Sequence, residues 1–227
     1  MTFPTQLKYK LASQSIAVDR VPASPLSSDF ENLLEEIKLW SGTDNNGVAV
    51  SYFFRQYALF ISAQFDLISN HNGYFACSWK DLEFSRVHNY GFQLLQIHAD
   101  SRHYIAVSSE KRFEAMHFIL TEQVESLIRE FRKHVKISPI ILWENVLGSV
   151  IWFYATLEKR EPRRTAEDID WLLEPANWAP VKTSYLQKLM GSSSLERAVS
   201  GPLRKTCCLY KELPAFAACT FCPQPPL

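Results

Sequence analysis

Apolar and polar positions along the chain alternate in two ways, helical over most of its length and strand-like in the middle. Phe30, Leu33, Leu34, Ile37 and Trp40 recur at helical spacing, with Ser28 as the expected N-cap and Gly42 as the stop. After a turn-like stretch from Gly42 to Gly47, Tyr52, Phe53, Tyr57, Phe60, Ile61, Phe65 and Ile68 predict a helix covered on most sides, and its aromatic stripe reads as core. A third stripe, Phe113, Met116, Leu120, Val124, Leu127, Ile128, Phe131 and Val135, is long enough for about six turns, and Pro139 is expected to end it.

Residues 140 to 157 form the most apolar segment, interrupted by Glu144 and Asn145 and short for a bilayer, so a buried core helix is expected there. A basic link with Lys159, Arg160, Pro162, Arg163 and Arg164 precedes shorter helices near Ala166 to Leu173 and Lys182 to Met190. Between Gly73 and Ser109 short runs at Tyr74 to Trp79, Phe92 to His98 and Tyr104 to Ser108 predict a small antiparallel sheet. Residues 1 to 27 show no clear period and read as an irregular arm that packs only in part. The fold class is therefore α+β, mainly helical with a small antiparallel sheet. The chain divides into a body over residues 1–200 and a C-terminal cysteine-rich segment over residues 201–227, packed on the body.

Composition narrows the classes of function. Of 227 residues 47% are hydrophobic, with 15 Phe, 9 Tyr and 6 Trp, enough for a core without help from metal. Lys plus Arg equals Asp plus Glu at 24 each, so nucleic-acid binding has no compositional support. The N-terminus lacks an apolar run of secretory length and no stretch approaches the roughly 20 apolar residues of a spanning helix, so a cytoplasmic location is expected. Structural disulfides do not suit that compartment. With 7 glycines and no G-x-G-x-x-G after a strand, a Rossmann site for NAD(P)H or flavin is not expected, and electrons would arrive from a separate protein.

The chemistry is concentrated in one place. Cys207, Cys208, Cys219 and Cys222 fall within 16 residues in the pattern C-C-x10-C-x2-C. Four thiolates suit zinc or an iron-sulfur centre, and adjacent cysteines suit a larger centre better than one tetrahedral zinc, because neighbouring side chains diverge. Alternatively Cys219 and Cys222 form a dithiol redox motif, although Pro223, Pro225 and Pro226 oppose the helix that normally follows one. Four buried cysteines acting as small hydrophobes would leave the clustering unexplained.

The string Arg204-x-Thr-Cys207-Cys208-Leu-Tyr-x-x-Leu-Pro, with Cys219-x-x-Cys222-Pro beyond the gap, resembles the C-terminal signature of FhuF-type ferric siderophore reductases over about 20 residues. The resemblance implies a [2Fe-2S] cluster ligated by Cys207, Cys208, Cys219 and Cys222, which passes one electron to the ferric ion of a hydroxamate- or citrate-type siderophore and releases Fe(II). It implies a ferredoxin or other reductase as electron donor, a siderophore recognition surface on the body, and room for peripheral association with an importer at the inner face of the cell membrane. Apolar cover is expected from Leu209, Tyr210, Leu213, Phe216 and Phe221. Arg204, Lys205 and Lys211 flank the cysteines as candidate contacts for the cluster, the siderophore or the donor, or as plain solvated charges. Two other functions fit the cysteines: a zinc-stabilised siderophore-binding or interaction protein without redox activity, and a thiol redox enzyme using Cys219 and Cys222.

Elsewhere, His98-Ala-Asp100 has the H-x-D spacing of a non-haem iron triad with His117 or His134 as distal ligand, but a surface turn ending a strand is the favoured reading. His103 and Arg102 beside it are assigned no role. Cys77 reads as core. Trp143, Trp152, Tyr154, Arg163 and Arg164 could line a pocket for a bulky anionic chelate, with core packing preferred for the two tryptophans.

Overall fold

The computed structural model describes residues 3–89, 92–201, 203–214, 216, 222 and 223. They form the expected mainly helical α+β fold. Nine α-helices are present among the described residues: α1 (Thr5–Ala12), α2 (Phe30–Ser41), α3 (Asn46–His71), α4 (Arg112–Phe118), α5 (Ser126–His134), α6 (Pro139–Glu158), α7 (Pro162–Leu173), α8 (Tyr185–Met190) and α9 (Leu195–Ser200).

The pairing of α3 with α6 is the centre of the molecule. Asn45 starts α3 by accepting the Gly47 and Val48 N–H groups, and Asn72 closes it in the left-handed conformation. The aromatic stripe expected on α3 is core: Phe53, Phe54 and Tyr57 stack with one another and on Phe84 and Phe131. Helix α2 covers α3, while α7, α8 and α9 cover α6. By length and composition α6 could cross a membrane, but 56% of its apolar window is buried in this fold, as expected of a core helix.

Several boundaries differ from the sequence reading. Of the expected arm over residues 1 to 27, the described part is no loose arm: Leu7 and Leu11 of α1 are buried, and strand β1 (Ile16–Val18) is buried throughout. Among the described residues of the region 73 to 109 there are four strands, β2 (Gly73–Phe75), β3 (Glu83–Asn89), β4 (Phe92–Ala99) and β5 (Tyr104–Ala106), divided between two sheets. Strand β4 pairs antiparallel with β3 and parallel with β1, in the register Ile16 to Ile97, so this sheet is mixed; β2 and β5 form a separate antiparallel pair. The N-cap of α2 is Asp29 rather than Ser28, its carboxylate accepting the Asn32 N–H, while Gly42 ends the helix at φ 71° as expected.

The long third stripe is one helical rod with a π-helical stretch, Ile119–Glu125, between α4 and α5. It ends at His134. Pro139 does not terminate it but opens α6, where a missing N–H costs nothing and the Ser138 hydroxyl caps the turn. In the π stretch Tyr57 Oη donates to the Gln123 carbonyl at 3.0 Å, and the Gln123 amide donates to the carbonyls of Phe75 and Cys77. Part of the basic link is helical, since Pro162, Arg163 and Arg164 form the first turn of α7, and α9 is an element that the sequence did not announce.

A candidate metal centre and the adjoining cleft

The cysteine segment is fastened to the body by buried polar groups on α3 and α6. Glu144 and Asn145 sit in the most apolar helix of the chain, 3% and 4% exposed. The Glu144 carboxylate accepts the Lys205 N–H at 3.1 Å, the Thr206 N–H at 3.0 Å and the Thr206 hydroxyl at 2.5 Å. Arg204 donates from Nη1 to Asn145 Oδ1 at 2.7 Å and lies 3.7 Å from Glu144. Asn145 Nδ2 donates to the carbonyl and hydroxyl of Ser51, and the Ser51 hydroxyl donates to the Cys208 carbonyl at 2.7 Å. Buried polar groups are costly unless met, and here each meets another across three parts of the chain.

This anchoring shapes the backbone of the vicinal cysteines. Leu209 adopts a left-handed conformation (φ 60°, ψ 4°) that turns its N–H back to Cys207 Sγ at 3.3 Å. A backbone N–H aimed at sulfur brings partial positive charge to a thiolate, the kind of surrounding interaction that orients a metal ligand and tunes the metal. Cys208 is buried, while Cys207 and Cys222 are half-buried, and all three are free thiols. Cys219 and Phe221 lie outside the described residues. Among the described residues no three His, Cys, Asp or Glu side chains converge on a metal position. The donors that are described fit a soft metal centre by chemistry: thiols, a sulfur-directed N–H and a fixed backbone.

Past the cysteines the chain is held by packing. Tyr210 and Phe216 pack together at 4.2 Å and both reach Tyr52 of α3, whose ring packs on Trp40. Leu213 is buried and Pro214 rests on Gly42. Of the expected apolar cover, Leu213 joins the core of the body, and Leu209, Tyr210 and Phe216 are partly buried against it.

A cleft of about 300 Å³ opens beside this segment, between α3 and α6, with Arg204 and Tyr210 in its wall. The Arg55 guanidinium lies over the Tyr210 ring, 4.8 Å from its centre.

The remaining sequence candidates are dispersed. Arg204 is buried and engaged with Asn145 and Glu144, whereas Lys205 and Lys211 are exposed. His98 Nδ1 donates to the Arg20 carbonyl at 2.7 Å and Nε2 lies 2.7 Å from the Ser85 hydroxyl, so both nitrogens are engaged within the fold. Asp100 caps the turn after β4 and pairs with Arg102, and this charged partner holds its carboxyl down at about 2. His117 bonds the Ala179 carbonyl and His134 stacks on Phe30, so the H-x-D triad does not assemble. Cys77 is core as expected, and burial pushes its thiol up to about 12. Trp143 and Tyr154 are fully buried, Arg163 is exposed and Arg164 reaches the Ile68 carbonyl. Trp152, expected in the core, is instead 50% exposed at the cleft.

Sequence reasoning missed Ser51, Glu144 and Asn145. The only available signal was two adjacent polar residues inside an apolar helix. No family model and no curated protein matches the chain.

Proposed function

We propose that this chain is a ferric siderophore reductase in which Cys207, Cys208, Cys219 and Cys222 hold a [2Fe-2S] cluster. The observation that carries the reading is the preorganised vicinal pair, whose backbone is fixed by Glu144 and Ser51 and whose Cys207 sulfur receives the Leu209 N–H. A dithiol enzyme using Cys219 and Cys222 has no use for that arrangement. When bound, the cluster supplies one electron to siderophore-bound Fe(III); the product Fe(II) is held less tightly by hard oxygen donors and is released. The electron is replaced by an external protein donor of ferredoxin type.

The chain's own residues prepare the site. Glu144 and Arg204 set the approach of the segment, Ser51 holds the Cys208 carbonyl, and Tyr52, Tyr210, Leu213 and Phe216 pack the chain that follows the vicinal cysteines onto the body. Low access of water and N–H donors to sulfur are levers that set the potential of such centres.

The test is the visible spectrum of anaerobically purified protein before and after dithionite. Red-brown bands that bleach and then recover on addition of a ferric siderophore are expected, as is their loss in each single Cys→Ser variant of the four. Protein that stays colourless after anaerobic reconstitution with iron and sulfide refutes the reading and leaves zinc or free thiols.

A further inference from the structure

We infer that the cleft between α3 and α6 is the binding site for the chelate, and that Arg55, Gly148 and Trp152 are its recognition residues; the identity of the ligand rests on the reductase reading. Its volume of about 300 Å³ falls at the lower end of small-molecule sites. Its walls are mainly apolar, with Leu59 and Trp152 turned 42% and 50% to solvent. Apolar side chains that stay partly exposed beside a concave opening offer flat contact to a ligand.

Two observations give the cleft selectivity. The first is charge. Arg204 in the wall is balanced by Glu144, whereas Arg55 makes no ion pair among the described residues and its contact there is the Tyr210 ring. Among the described residues the cleft therefore presents one cation without an anionic partner beside mainly apolar walls, which suits a chelate with apolar faces and a net negative charge. The second is space. Gly148 lies in the middle of α6 and a Cβ built on it meets nothing within 4 Å. Glycine in a helix interior costs about 1 kcal/mol against alanine, and here its effect is to keep the floor open. The position also suits the chemistry, because Tyr210 belongs both to the cleft wall and to the chain just after the vicinal cysteines.

The experiment is calorimetric titration with gallium(III) complexes of desferrioxamine B in three forms: the parent with one positive charge, the N-acetyl form with none, and the N-succinyl form with one negative charge. Gallium(III) matches the ferric ion in charge and is not reduced, so binding is read without turnover, and the absorption spectrum records the cluster separately. Affinity should rise toward the negative complex by roughly fivefold per step, the scale of a partly exposed ion pair. Arg55→Gln should flatten this series, and Gly148→Trp should weaken all three complexes by about tenfold or more. Gly148→Met serves if the larger side chain prevents folding. Wild-type affinities retained in both variants, or no binding by the wild-type protein, overturn the cleft assignment. Cluster-bearing protein that behaves so keeps the reductase reading; colourless protein that binds in the cleft loses that reading and keeps the site.

Discussion

Glu144 shows how far one side chain governs the cysteine segment. A carboxylate in the interior of an apolar helix is tolerable only because two backbone N–H groups, a hydroxyl and a guanidinium surround it. Glu144→Gln puts an amide donor among those donors, so urea unfolding should show a loss of about 2–4 kcal/mol. Cys207 should also alkylate faster as its segment loosens; unchanged alkylation would mean that packing of Tyr210 and Leu213 alone holds it. Cys77 behaves in the opposite way. Its thiol ionises near 9.0 ordinarily and only near 12 here, burial being the larger cause and the Asp81 carboxylate the smaller. The folded state thus gains from the neutral thiol below about pH 9, and that gain is lost as pH climbs toward 12. Cys77→Ala should flatten the alkaline fall in stability, and iodoacetamide should spare Cys77 in the native protein. At this scale the cysteines were legible in the sequence because spacing displays them. Glu144 was not, because its partners lie about 60 positions away.

Among elements, those with a long period were legible and those stabilised by distant pairing were not. Helices α2, α3 and α6 follow from their apolar spacing and caps. Strand β1 has three residues, too few to display a period, and exists because Ile16, Ala17 and Val18 pair with Ile97, His98 and Ala99. The π-helical stretch is invisible for a similar reason, since Tyr57 reaches its Gln123 carbonyl, and the Gln123 amide reaches Phe75 and Cys77, only after folding. Helix α6 carries a prediction of its own. Gly148→Ala meets no neighbour and removes backbone freedom from the unfolded chain, so it should raise stability by about 0.5–1 kcal/mol in chemical denaturation. A loss instead would mean that the helix bends at Gly148.

For the whole molecule, α4, α6 and α7 are tied by a buried ionic cluster. Arg112 Nε donates to Asp168 at 2.8 Å and Nη2 to Glu167 at 2.7 Å, while Tyr154 Oη reaches Asp168 at 3.2 Å. Asp168→Ala strands a buried guanidinium and a phenol, and should cost about 3–5 kcal/mol by thermal or urea unfolding. An effect below about 1 kcal/mol would show that water replaces the carboxylate.

The anchor of Cys208 to Ser51 also sets an order of biosynthesis. Ser51 precedes Cys208 by 157 residues, and Glu144 precedes Thr206 by 62. During translation both docking helices leave the ribosome before either vicinal cysteine is made, so the nascent thiols emerge to a receiving surface already built. The last segment to be synthesised therefore closes onto helices made before it, and docking of the vicinal cysteines follows the order of synthesis.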